Sequence, residues 1–230
     1  MLSLRHLQLL IQLLVLFSSM ALPSLSLAQA EADIEAEAWP EFDIWIGLDK
    51  ERKNRIYILN SYSSAPKYSY EETALGISFD QRLSESWSWR AGVRYIWKEV
   101  EPPDTNETRG VFDLKWFKHL GNEWLLTDRN RIDVRHFENN GQWSYRYRNR
   151  IMLEKPIPVF SKFWTGFASY EIYWDSRSSG LGRQRVIAGV SVPLASWSAI
   201  DVFYAYHYES KPKPEHGNAI GIAISLMFYD

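Results

Sequence analysis

The sequence has no cysteine, so no disulfide staples the fold and no thiolate metal site can exist. Its formal net charge is only −2, which argues against bulk attraction to nucleic acid. After residue 30 there is no apolar run long enough for a transmembrane helix, and no sustained 3.6-residue period. Histidine is scarce there: His119, His136, His207 and His216 stand alone, without the clustered or i, i+4 spacing of a metal site. None of them has a recognisable catalytic spacing, although His207 alternates onto the same face as Asp201 and Glu209. No cofactor, metal or enzymatic constellation is therefore expected.

What the chain does contain is aromatic side chains and alternation. All 11 tryptophans lie after residue 30. Before that point, Arg5 and His6 precede an apolar stretch from Leu9 to Leu22, and Ala28-Gln29-Ala30 supplies a small-x-small cleavage pattern. This predicts a cleavable signal peptide over residues 1–30 and a single domain over 31–230. With no cysteine after the apolar run, a lipoprotein anchor is excluded.

Period-2 alternation runs through the rest. Trp87, Trp89, Ala91, Val93, Tyr95 and Trp97 interleave with Ser88, Arg90, Gly92, Arg94, Ile96 and Lys98. The pattern predicts strands at 42–49, 55–62, 69–83, 87–99, 109–119, 124–137, 143–154, 162–175, 183–193, 197–209 and 218–229. Most exceed the roughly five to six residues usual in soluble sheets and suit strands that cross a bilayer at a tilt. Short connections predicted at 50–54, 84–86, 120–123, 155–161 and 194–196 alternate with longer ones, the 139–141 turn excepted. The fold class predicted is an all-β, antiparallel, up-and-down transmembrane β-barrel of about 10–12 strands, preceded by the signal peptide. Single-chain bacterial barrels have even strand numbers, so the eleven segments imply ten strands or twelve.

Three features set this barrel apart from a soluble sandwich. Trp and Tyr concentrate near strand ends, as in interfacial girdles. The polar rows mix charges with small residues such as Gly76, Ser78, Gly92, Gly189 and Gly221, which suits a confined lumen. An export signal completes the set. Asp128 and Asn130 fit poorly, because strict alternation puts them on the lipid side unless a bulge re-aims them.

The stretch RHFENNGQWSYRYRNR, residues 135–150, can be registered as a hairpin. With Asn140-Gly141 in a two-residue turn, Arg135 faces Arg146, Asp133 faces Arg148 and Arg131 faces Arg150. All of these fall on one face, which is predicted to be the lumen.

Residues 129–153, RNRIDVRHFENNGQWSYRYRNRIML, are followed by SYEIYW and by a glycine in RQRVIAGVSV. This order resembles the domain-of-unknown-function 2490 family of predicted outer-membrane β-barrels, in which Arg-x-Arg strands precede a glutamate-aromatic strand. The matching positions are Arg129, Arg131, Arg135, Arg146, Arg148, Arg150 and Glu171, with Trp45 and Gly92-Val93-Arg94-Tyr95 also similar. The resemblance implies fold and outer-membrane location and carries no known activity. The ending Phe228-Tyr229-Asp230 departs from the terminal aromatic of many outer-membrane proteins.

The candidate lumen-lining set is Arg90, Arg94, Arg129, Arg131, Asp133, Arg135, Arg146, Arg148, Arg150, Glu154, Glu171, Arg183 and Arg185. A guanidinium keeps its charge and presents five donors, so each inward arginine requires an acceptor or trapped water. If matched by carboxylates, the set braces the barrel; if unmatched, it forms a narrow passage for small anionic solutes or holds an acidic ligand. A lipid- or polymer-acting enzyme or ligand-binding barrel is the alternative. The partners expected are outer-membrane lipid, the barrel-assembly machinery and small anions, with no nucleic acid.

Overall fold

A computed structural model of the protein describes residues 36–65, 70–100, 106–159, 162–177, 180–210 and 215–229. The predicted signal peptide, the 211–214 loop and Asp230 lie outside the described residues. The strands are β1 (Ala36–Gly47), β2 (Asn54–Ala65), β3 (Tyr70–Arg82), β4 (Trp87–Val100), β5 (Glu107–His119) and β6 (Leu125–Phe137). They continue as β7 (Trp143–Val159), β8 (Lys162–Asp175), β9 (Gly180–Ala195), β10 (Ser198–Glu209) and β11 (Glu215–Phe228). Every predicted strand is present, and the described residues contain no helix.

Consecutive strands pair antiparallel in an up-and-down order, and β1 pairs with β11 to close a barrel. That closing pair is parallel, running from Ala36↔Asn218 to Ile46↔Phe228. This corrects the even number expected. Eleven alternating strands leave the first and last pointing the same way, so the seam can close only in parallel. The segment expected at 42–49 is a full strand of 12 residues whose additional residues reach the seam. Closure leaves no free edge, which any sheet in lipid requires.

Other expectations also change. The strands run on into segments predicted as loops, so connections span two to six residues at one end and four to six at the other. The asymmetry in loop length therefore largely disappears. In the β6–β7 hairpin the ladder closes at Phe137 and Gln142, and Gly141 adopts φ +66° beyond a turn over 138–140. The register is Asp133↔Arg146, Arg131↔Arg148 and Arg129↔Arg150, two residues away from the two-residue-turn expectation. A two-residue shift preserves which face every side chain occupies, so the arginines remain inward.

The two faces differ completely. Leu75, Ile77, Val93, Phe112, Ile132, Ile151, Val186, Val202, Ile220 and Ile222 are exposed on the outside, with Trp87, Trp97, Trp143, Trp174 and Trp197 toward strand ends. Asp128 and Asn130 do sit among them, because no bulge interrupts β5–β6–β7. Asn149 joins them there, donating from Nδ2 to Asp128 Oδ1 (2.6 Å) and Asn130 Oδ1 (3.2 Å), while the Tyr147 hydroxyl also donates to Asn130 (2.6 Å). These bonds satisfy much of a polar set that lies in an otherwise apolar outer wall.

Inside, β10 and β11 carry small residues against which large ones lie, Trp39 of β1 among them. Trp39 packs with Ala205 and Ala219, with Ile187 and Phe203 against them. A Cβ built at Gly221 would fall 2.0 Å from the Phe203 ring, so the glycine provides the room that the ring fills. Charged side chains line the wall from β2 round to β9, and Glu37 and Asp43 on β1 and His207 and Glu209 on β10 join them.

Candidate functional site in the barrel lumen

The antiparallel register sets inward side chains of neighbouring strands directly opposite one another. One row runs Arg90↔Asp113↔Arg131↔Arg148↔Tyr173 across β4 to β8. The next runs Lys115↔Arg129↔Arg150↔Glu171↔Arg185 across β5 to β9. Arginine thus meets arginine at 94↔109, 109↔135, 131↔148 and 129↔150. Opposed like charges are destabilising unless carboxylates lie between them.

Carboxylates do lie between most of them. At the end toward β5's first residue, Glu107 accepts both Nε (2.7 Å) and Nη2 (2.8 Å) of Arg135, and Nε of Arg109 (2.8 Å). Lys98 is 3.5 Å from the same carboxylate and 3.4 Å from Glu72. Asp175 takes Arg135 (2.8 Å) and Arg146 (2.9 Å). Deeper in, Arg131 grips Asp113 with two nitrogens, Nη2 at 2.7 Å, and Arg148 reaches Asp133 at 2.8 Å. Arg90 and Arg55 share Asp80, with Lys115 at 3.9 Å. Arg183 pairs with Glu209, and Arg129 with Glu171 at 2.5 Å.

Aromatic faces complete the environment. The Arg90 guanidinium lies 4.0 Å from the Tyr57 ring centroid and 4.7 Å from that of Trp45. Arg185 lies 4.3 Å from the Trp39 ring. A guanidinium is weakly hydrated and stacks on such faces, so these rings cover cations that water cannot reach.

All thirteen predicted residues occupy lumen-facing register positions, but they do not form one constellation. Eight of the arginines, 90, 129, 131, 135, 146, 148, 183 and 185, have a carboxylate within 4.0 Å. Asp133 and Glu171 supply two of those carboxylates. Glu154 meets Thr127 at 3.5 Å instead of an arginine, and Asp201 accepts from Ser191. Among the described residues Arg94 and Arg150 have no such partner. The stem of Arg94 lies over Gly76, where a Cβ would fall 2.7 Å from its Cγ. His207 stacks on Trp39 at 5.9 Å and lies 3.4 Å from Glu37; it meets neither Asp201 nor Glu209 as an ion pair. Among the described residues no group of His, Asp and Glu has the arrangement of a metal site.

The hub of the network escaped sequence reasoning. Glu107, fully buried, belongs to Asn106-Glu107-Thr108, which reads as loop on composition. Its parity with Arg109 was the available signal, since two residues back along an extended strand is the same face. Asp175, Lys98 and Lys115 share this parity too, but their partners Arg135, Glu107 and Asp80 lie on other strands and follow only from the cross-strand register.

A family model described as a protein of unknown function (DUF2490) matches residues 59–218. No curated protein matches the chain.

Proposed function

The chain belongs to the DUF2490 family, and from the barrel it forms we propose that it is an outer-membrane protein whose lumen is closed by an ion-paired network. The carrying observation is the opposition of the two barrel faces. Outside, an apolar belt with aromatic ends covers strands of 12 to 17 residues. At about 3.3 Å per residue and a tilt of about 40°, the shortest strands rise about 30 Å, enough for the about 25 Å apolar band of such barrels. A soluble protein rarely exposes a contiguous apolar surface beyond about 300–600 Å². Inside, Asp80, Glu107, Asp113, Asp133 and Arg135 are buried at 0–1% exposure, which suits a braced interior better than a water-filled pore.

On this reading the 1–30 segment exports the chain, the barrel-assembly machinery inserts it, and outer-membrane lipid is its immediate partner. The protein should require detergent for extraction and migrate differently on gels before and after boiling. Recovery in the aqueous phase without detergent overturns the location. A second reading, a narrow passage for small anions, is favoured by Arg94 and Arg150, which among the described residues have no carboxylate within 4.0 Å. Planar-bilayer recordings separate the two. The closed barrel gives no steady conductance, whereas anion-selective steps altered by charge reversal at Arg131, Arg148 and Arg150 establish the passage.

A further inference from the structure

Around Glu171 the charge network does not balance. Arg129 and Arg185 lie 2.5 and 3.8 Å from its carboxylate, and Arg150 stands directly opposite it on β7. The Tyr173 hydroxyl also donates to it. Two guanidinium groups therefore pair with this one carboxylate, Arg150 faces it without pairing, and Arg148, whose field also acts there, is already committed to Asp133. Glu154, the next inward carboxylate along β7 from Arg150, is turned to Thr127. The Nε donors of Arg129, Arg150 and Arg185 are all buried and have no acceptor. Buried donors of charged groups rarely stay empty, because each loses its hydration without return.

We propose that this cluster is a binding site for a small tetrahedral dianion of the phosphate or sulfate class, seated between Arg129, Arg150 and Arg185 beside Glu171. Three guanidinium groups converge where, among the described residues, Glu171 is the one carboxylate paired with any of them, and a dianion adds negative charge there. Its oxygens match the fork geometry of guanidinium groups and supply the acceptors that the Nε atoms lack. Glu171, which shares these arginines, holds them apart and oriented. Access runs from the barrel mouth past Arg183 and Glu209, whose side chains are 34% and 30% exposed, to Arg185 at 17%. The inference rests on the closed-lumen reading, in that the anion is held rather than passed.

Arg150 is the decisive position, because no described carboxylate lies within 4.0 Å of it and its removal breaks no ion pair among the described residues. Titration calorimetry with inorganic phosphate and with sulfate, on the full chain in uncharged detergent, should show saturable binding. Arg150→Gln and Arg185→Gln should each weaken it about 10- to 100-fold, as loss of a charge-assisted contact implies. Arg82→Gln, which removes a cation bonded to the turn carbonyls of Ser84 and Glu85, should leave it unchanged. Heat-dependent gel migration verifies that each variant is folded. The site is overturned if the parent shows no saturable binding of either anion, or if folded Arg150→Gln binds as the parent does. An integral protein that fails to bind loses the site alone, whereas a protein that binds but is soluble without detergent loses only the membrane reading.

Discussion

Replacing Glu107 with glutamine changes almost no volume but removes the acceptor charge shared by Arg135, Arg109 and Lys98. Their fallbacks differ. Arg135 keeps Asp175 at 2.8 Å and Lys98 keeps Glu72 at 3.4 Å, whereas Arg109 has no other described carboxylate within pairing distance. One buried guanidinium is thus left uncompensated and two are weakened. Removing one partner of a buried ion pair costs about 3–5 kcal/mol, because the remaining charge stays desolvated. With a urea slope of about 3 kcal/mol/M, the unfolding midpoint should fall by roughly 1–2 M. The assay is tryptophan fluorescence of the refolded protein in lipid vesicles over a urea series, approached from both folded and unfolded states. A midpoint within about 0.3 M of the parent, below about 1 kcal/mol at that slope, would refute the claim that Glu107 organises this end of the lumen. The double variant Glu107→Gln/Arg109→Met should recover a large part of the loss, since it withdraws the stranded charge together with its acceptor.

Two further tests probe packing and the turns. Gly221→Ala should destabilise the barrel by about 1–3 kcal/mol, and Phe203→Leu in the same chain should rescue it, because the obstruction is a side chain. Gly92→Ala meets the Ile77 carbonyl oxygen at 2.3 Å as well as the Ser78 side chain, so Ser78→Gly should not rescue it; urea midpoints compare both pairs. In the β1–β2 turn, the Asp49 carboxyl is held below its ordinary value of 3.8, first by the Lys53 amide and then by that of Asn54. Its contribution is present above that ordinary value and lost as pH falls through the lower folded value. Amide exchange at Lys53 and Asn54, corrected for intrinsic rates, should lose protection on acidification in the parent and show no such step in Asp49→Asn. An identical pH profile in the two proteins would show that the carboxylate does not hold the turn.

Much of the architecture was legible because alternation is a local property. Each extended residue reverses its side chain, so Trp87 through Lys98 declare two faces before any partner strand is known. Strand existence, the inward direction of all thirteen candidate residues and the outward position of Asp128 follow from this parity. The family followed from the order of Arg129, Arg131, Arg146, Arg148, Arg150 and Glu171 along the chain.

Parity is blind to a shift of two residues, and this is where the tertiary structure decides. The β6–β7 turn closes one pair later than the two-residue turn predicts, and so exchanges every cross-strand partner without turning a single side chain over. Strand ends are equally hidden, since Glu107 becomes strand only because β6 extends alongside it. Closure is a property of the whole ring: β1 and β11 meet in parallel because eleven strands alternate, and no local segment encodes that contact. The sequence by itself therefore determined which arginines share the lumen. Only the closed barrel decided which of them find a carboxylate, because that depends on register across strands that the chain separates by up to 42 residues, as between Arg129 and Glu171.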